Sequence, residues 1–136
     1  MIRLLAPFLA VVATLVALDA VWLGIVALPL YQRGIGHLMA AQPVLAAAGL
    51  FYLLYAAGIL LFVVRPRPRG AVRAAAGWGA LFGFMAYMTY DLTNLATLRG
   101  WPVGLSVVDT AWGCLATAIA AAAGRIVSDR TGAGGG

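Results

Sequence analysis

Three aspartates lie inside apolar stretches of the chain, where a charged side chain is rare. Asp19, Asp91 and Asp109 each sit among long runs of aliphatic residues. An ionised carboxylate at the centre of a bilayer costs about 2.5–3.5 kcal/mol on insertion scales, so intramembrane acids usually serve a function. Crowded carboxyl groups also titrate at different pH values, which allows one to act as an acid and another as a base. These residues therefore predict a catalytic acid–base cluster that transfers protons.

Aromatic and amide side chains accompany the aspartates at helical spacing. Residues three or four positions apart share one face of a helix, and such a stripe runs through Asp91. A second stripe runs through Asp109, and a bilayer penalises polar faces that meet lipid, so we expect these faces to converge inside a bundle. We predict a pocket with Asp91 at its centre. Its predicted ligand-binding residues are Tyr52, Tyr55, Tyr87, Tyr90, Asn94 and Trp112.

The elements that must position these residues are membrane spans. The chain has 136 residues, 64% apolar and only 10% charged, whereas a soluble domain averages about 45–50% apolar and about 25% charged. Four apolar runs have close to the ~20 residues that cross a bilayer as a helix. We predict an all-α fold, a four-transmembrane-helix antiparallel bundle in residues 1–127, followed by a disordered Gly-rich tail in residues 128–136. The predicted helices cover residues 4–26, 43–64, 73–98 and 104–124.

The distribution of arginine predicts the orientation of this bundle. The face that would carry both chain ends holds seven of the nine basic residues, namely Arg3, Arg65, Arg67, Arg69, Arg73, Arg125 and Arg130. Only Arg33 and Arg99 fall on the opposite face. The positive-inside rule therefore places both termini in the cytoplasm. In that orientation the three aspartates lie at one depth, roughly 7 Å outward of the midplane at 1.5 Å per residue, which predicts a pocket open to the outer leaflet.

Sequence signals for other functions are missing. Cys114 is the only cysteine and His37 the only histidine, and no metal-binding spacing, P-loop or dinucleotide fingerprint occurs. The net charge of +5 comes from arginines between apolar runs, so membrane topology explains it better than nucleic acid does. We therefore predict no metal, no cofactor and no nucleic-acid partner. The predicted partners are membrane lipids, with a second copy of the chain or another membrane protein as further candidates.

Four blocks of the sequence resemble a family of bacterial predicted membrane proteins catalogued as domain of unknown function 2177, and these blocks are residues 19–24, 51–55, 90–102 and 109–113. The resemblance extends over about residues 3–127, and the block at 90–102 is the most specific. It implies a multi-pass, four-helix protein of the bacterial inner membrane. It implies no activity.

Three functions fit these features. In the first, a small enzyme or binding protein holds a lipid or isoprenoid against the aromatic residues, and the aspartates meet its polar end. In the second, a proton- or cation-coupled carrier uses the acids as a relay, although residues 118–123 offer no polar path through the inner half. We expect such a carrier to be a dimer, because four helices leave little room for a translocation path. In the third, an accessory subunit without chemistry of its own pairs its acids with basic residues of a partner. Whether the protein is an enzyme stays open at this point.

Overall fold

The computed structural model describes residues 2–133, and all regular secondary structure in that range is helical. The helices, in chain order, are α1 (Ile2–Val21), α2 (Leu28–Ile35), α3 (Leu45–Gly58), α4 (Val72–Thr97) and α5 (Val103–Arg130). Two of them continue beyond these bounds as wider π-helical turns, α1 through Trp22–Val26 and α3 through Ile59–Val64. The predicted all-α class is confirmed.

Within residues 2–133, three segments are long and apolar enough to cross a membrane: Arg3–Val26, Leu45–Val64 and Val103–Arg130. They coincide with the first, second and fourth predicted spans. α4 has 26 residues and is long enough for a span. Its glycines, threonines and Asn94 make it less apolar than the other three segments.

α5 lies at the centre of the molecule and packs against both α1 and α4. Glycines make the contact with α4 close. A Cβ atom added at Gly83 would meet the backbone oxygen of Gly113 and would lie 2.6 Å from Thr117 Oγ1. One added at Gly79 would lie 2.8 Å from the backbone oxygen of Thr117. The two glycines therefore let the α4 and α5 backbones approach more closely than any larger residue permits.

α3 is held differently at its two ends. Its π-helical continuation, Ile59–Val64, packs against α1, α4 and α5. Among the described helices, the backbone of Leu45–Gly58 approaches that of α1 alone. α3 and α4 therefore lie together at one end of the molecule and diverge toward the other, where side chains rather than backbones bridge the gap.

A buried arginine on α5 joins the C-terminal end of this helix to the segment that follows α3. Arg125 is fully buried. One Nη atom donates to the backbone oxygens of Val64 and Arg67 at 3.1 and 2.9 Å. The other donates to Ser128 Oγ at 3.0 Å and to Asp129 Oδ1 at 2.7 Å. The five donors of a guanidinium group suit such a junction, because carbonyl groups at the end of a helix lack intrahelical partners.

These bonds explain why α5 ends at Arg130 rather than near residue 124, where the sequence predicts its end. Residues 128–130, which belong to the predicted disordered tail, are helical, and Asp129 also accepts a hydrogen bond from the Gly70 backbone nitrogen at 3.1 Å. The last part of that predicted tail, residues 134–136, lies outside the described residues. The predicted bounds of the other spans differ from the observed helices by one or two residues.

Candidate functional site

Two aromatic donors fix the carboxyl group of Asp19. The Tyr52 hydroxyl of α3 donates to Oδ2 at 2.8 Å, and the Trp112 indole nitrogen of α5 donates to Oδ1 at 2.9 Å. Trp22 stacks on Trp112 with ring centroids 4.4 Å apart and planes 2° from parallel. Asp19, on α1, is 7% exposed. Each of its oxygens therefore has a donor, and the carboxyl group links three helices.

Asp109, on α5, accepts a hydrogen bond from a side chain of α2, the short helix that follows the first span. The Tyr31 hydroxyl on α2 donates to Asp109 Oδ1. Burial, followed by the adjacent carboxyl group of Asp109, raises the pKa of Tyr31 above the ordinary value of a tyrosine. The phenol therefore keeps its proton, and remains a donor, to higher pH than a tyrosine in water. α2 thus closes the site from the end of the bundle opposite Arg125.

Asp19 and Asp109 line one cleft of about 290 Å³, which we call the aspartate cleft. Its polar and aromatic lining consists of Asp19, Trp22, Tyr31, Phe51, Tyr52, Tyr87, Tyr90, Asp109 and Trp112. A second cavity of about 350 Å³, the lateral cavity, lies between α3 and α4 where these helices diverge. Its lining consists of Phe51, Tyr55, Ala86, Tyr87, Tyr90 and Asp109. Because four residues line both spaces, the lateral cavity adjoins the cleft.

Asp91 borders neither the aspartate cleft nor the lateral cavity, whereas the sequence analysis places it at the centre of the predicted pocket. It is 1% exposed and lies beside Asp109, Ser106 and Trp101. Its side chain borders a different cavity, on the other side of the contact between α4 and α5. Asp91 follows Tyr87 by one turn on α4, and at that level its side chain meets Ser106 and Asp109 of α5 instead of lining the cleft.

These contacts bring together residues that lie far apart in the sequence, from Asp19 to Trp112, and the family comparison covers all of them. The model of a predicted membrane protein family, DUF2177, matches residues 4–126. This chain belongs to that family. No curated protein and no solved structure matches it. The family assignment confirms the resemblance found in the sequence, and it leaves the function to be argued from the site.

Five of the six predicted ligand-binding residues border the two spaces of this DUF2177 protein. Those five are Tyr52, Tyr55, Tyr87, Tyr90 and Trp112. Tyr55 reaches only the lateral cavity, and its hydroxyl shares a hydrogen bond of 2.8 Å with Thr117 Oγ1. Asn94 borders neither space as the structure describes them; it lies beside Tyr90.

Sequence reasoning missed Tyr31 and Phe51. The segment around Tyr31 reads as a polar connection, yet it forms α2. Pro29 was the available signal, because proline is favoured at the first positions of a helix.

Charge limits what the DUF2177 site can hold. Among residues 2–133 the ion pair is Arg125–Asp129, at the opposite end of the bundle from the cleft. Within the same range no three His, Cys, Asp or Glu side chains are placed to hold a metal ion. Carboxyl groups without a basic neighbour repel anions and attract hydrogen-bond donors and cations. The cleft is therefore suited to a neutral or cationic polar group, with apolar surface beside it.

Proposed function

We propose that this protein binds an amphiphile, a lipid or isoprenoid, from the outer leaflet of the bacterial inner membrane. In this proposal four helices span the membrane, both termini are cytoplasmic, and the polar end of the ligand reaches the aspartate cleft. The chain of the ligand occupies the lateral cavity. The observation that carries the proposal is the divergence of α3 from α4, which leaves an aromatic opening that leads to Asp109.

The inclusion of α4 among the spans has physical support. At 1.5 Å per residue its 26 residues extend about 39 Å, more than the ~30 Å hydrocarbon core. Its polar residues also have partners suited to lipid. The hydroxyl groups of Thr89, Thr93 and Thr97 each donate to the backbone oxygen four residues earlier, at 2.6, 2.6 and 2.7 Å. Such bonds remove the cost of an unpaired hydroxyl in hydrocarbon.

The opening has the shape and surface that an apolar chain requires. Phe51, Ala86 and Tyr90 form its exposed rim, and Tyr55 and Tyr87 lie deeper. Sites for small molecules are usually apolar with a few polar groups that orient the ligand. Here the orienting groups are Asp109 and the Tyr31 hydroxyl.

Asp109 is the residue best placed to exchange a proton with the ligand. Both oxygens of Asp19 already accept hydrogen bonds, whereas Asp109 borders both the cleft and the lateral cavity. A ligand hydroxyl or amine could therefore reach Asp109, with Asp19 holding the helices in place. A phosphate head group is disfavoured because the site offers carboxyl groups and no basic side chain.

The test blocks the lateral cavity and measures retained lipid. Ala86→Trp places a large ring at the rim, and Ala96→Trp makes the same change at an exposed position of α4 outside both spaces. We expect the purified wild type and Ala96→Trp proteins to carry a specific lipid by mass spectrometry, and Ala86→Trp to lose it. Equal lipid content in all three proteins would contradict the proposal. Copurification of a second membrane protein in place of lipid would favour the accessory-subunit alternative.

A further inference from the structure

A groove on the other side of the α4–α5 contact has features of a binding site. It has a volume of about 410 Å³ and is separate from the aspartate cleft. Its apolar walls come from both helices and consist of Phe84, Met88, Leu92, Leu95, Val103 and Val107. Asp91, Ser106 and Thr110 border the same groove, and the carboxyl oxygens of Asp91 are buried beneath its surface. An apolar groove with a small set of oxygens is typical of a site for a molecule with one polar end.

Asp91 lies beside Asp109, Ser106 and Trp101, yet its carboxyl group forms no hydrogen bond with any of residues 2–133. Both of its carboxyl oxygens are buried, and within residues 2–133 neither meets a donor. Two aromatic donors nearby are already engaged. The Trp101 indole nitrogen donates to Ser106 Oγ at 3.0 Å, and the Tyr31 hydroxyl donates to Asp109. A buried polar group without a partner is costly, and a ligand that supplies the missing donors would recover that cost.

We propose that this groove binds a single-chain amphiphile with a primary ammonium head group. An ammonium group carries three N–H donors and a positive charge. Asp91, Ser106 and Thr110 offer matching acceptors, and the carboxyl group of Asp91 gains the counter-charge that the described protein residues do not provide. A fatty acid would add a further negative charge, and an alkane would leave Asp91 unpaired. This site is distinct from the aspartate cleft and does not depend on what the cleft binds.

The position of Asp91 along α4 suits entry of the head group from the membrane surface. Asp91 lies six residues before the end of α4 at Thr97, a distance of about 9 Å along the helix. Phe84 lies seven residues further inside, about 10 Å deeper. The head group therefore reaches Asp91 close to the interface, and the chain extends along the deeper apolar part of the groove.

Cys114 reports on occupancy because it borders this groove and is half-buried. The protein is placed in phosphatidylcholine vesicles, whose head group has no hydrogen-bond donor, and its alkylation by a coumarin maleimide is timed. Dodecylamine, dodecanoate and dodecane are added in separate samples at equal mole fraction. We expect dodecylamine to slow the alkylation several-fold and the other two compounds to leave the rate unchanged. Equal slowing by dodecane or dodecanoate overturns the proposal.

Two variants test the roles of Asp91 and of the groove. Asp91→Asn keeps the shape and removes the charge, and Ala111→Trp fills the groove at an exposed lining position. Each should lose the protection by dodecylamine, whereas Ala86→Trp, in the lateral cavity, should keep it. The unfolding temperature in detergent provides a second readout that does not use Cys114. Dodecylamine should raise it in the wild type and not in Asp91→Asn or Ala111→Trp, and an equal rise in all three proteins also overturns the proposal.

Discussion

In the described part of the chain, residues 2–133, Asp109 accepts a hydrogen bond from one side chain, Tyr31, whereas Asp19 accepts one from each of Tyr52 and Trp112. We therefore expect Tyr31→Phe to destabilise the protein by about 1–3 kcal/mol, the usual effect of leaving a buried polar group unsatisfied. Tyr52→Phe is the matched control and should cost less, because Trp112 still donates to Asp19. Unfolding in detergent measures both variants. An equal or smaller loss for Tyr31→Phe would show that its hydroxyl does not hold Asp109.

At the same scale, the sequence indicates which residues belong to a site more readily than it indicates which partners they contact. The cost of a carboxyl group in lipid singles out Asp19 and Asp109 without any structure, and the two indeed border one cleft. The partner Tyr31 could not be found in this way, because its contact with Asp109 joins residues 78 positions apart. Helical periodicity likewise predicts which face of α4 carries Asp91. It does not predict on which side of the contact between α4 and α5 that residue lies.

At the scale of helices, the glycines of α4 provide a direct test of close packing. A side chain at Gly83 would collide with the backbone of Gly113, whereas a side chain at Gly77 would meet nothing within 4 Å. Gly83→Ala should therefore lower the unfolding temperature strongly. Gly77→Ala should be neutral or stabilising by up to about 1 kcal/mol, since alanine is the better helix former. Similar effects of the two substitutions would mean that α4 does not pack closely on α5.

Helix positions follow from the sequence because each apolar run must satisfy its own backbone hydrogen bonds in lipid. Local detail is less predictable. The π-helical turn Trp22–Val26 directly follows the segment that carries Asp19, and π-helical turns are frequent at functional sites. Apolar periodicity does not reveal such a turn, since it depends on the contacts that the wider turn allows. The extension of α5 to Arg130 likewise depends on Arg125, which the sequence presents as one more loop charge.

At the scale of the whole molecule, the contacts show which segments of the chain meet at each end of the bundle. Pro7 and Val11, in the first half of α1, lie against Gly124 near the end of α5, and Arg125 bonds to the segment between α3 and α4. At the other end, Gly34 of α2 lies against Pro102, just before α5. This arrangement groups the arginine-rich segments at one end. It supports the proposed orientation, in which that end is cytoplasmic.

Cysteine labelling distinguishes four spans from three. If α4 crosses the membrane, the segment before it and the segment after it lie on opposite sides; if α4 does not cross, they lie on the same side. Arg69→Cys and Arg99→Cys place exposed thiols in these two segments, in a Cys114→Ala background that removes the only other thiol. We expect a membrane-impermeant maleimide added to intact bacterial cells to label Arg99→Cys, and to label Arg69→Cys only after permeabilisation. Labelling of both thiols, or of neither, before permeabilisation would exclude α4 as a span, and labelling of Arg69→Cys alone would reverse the orientation.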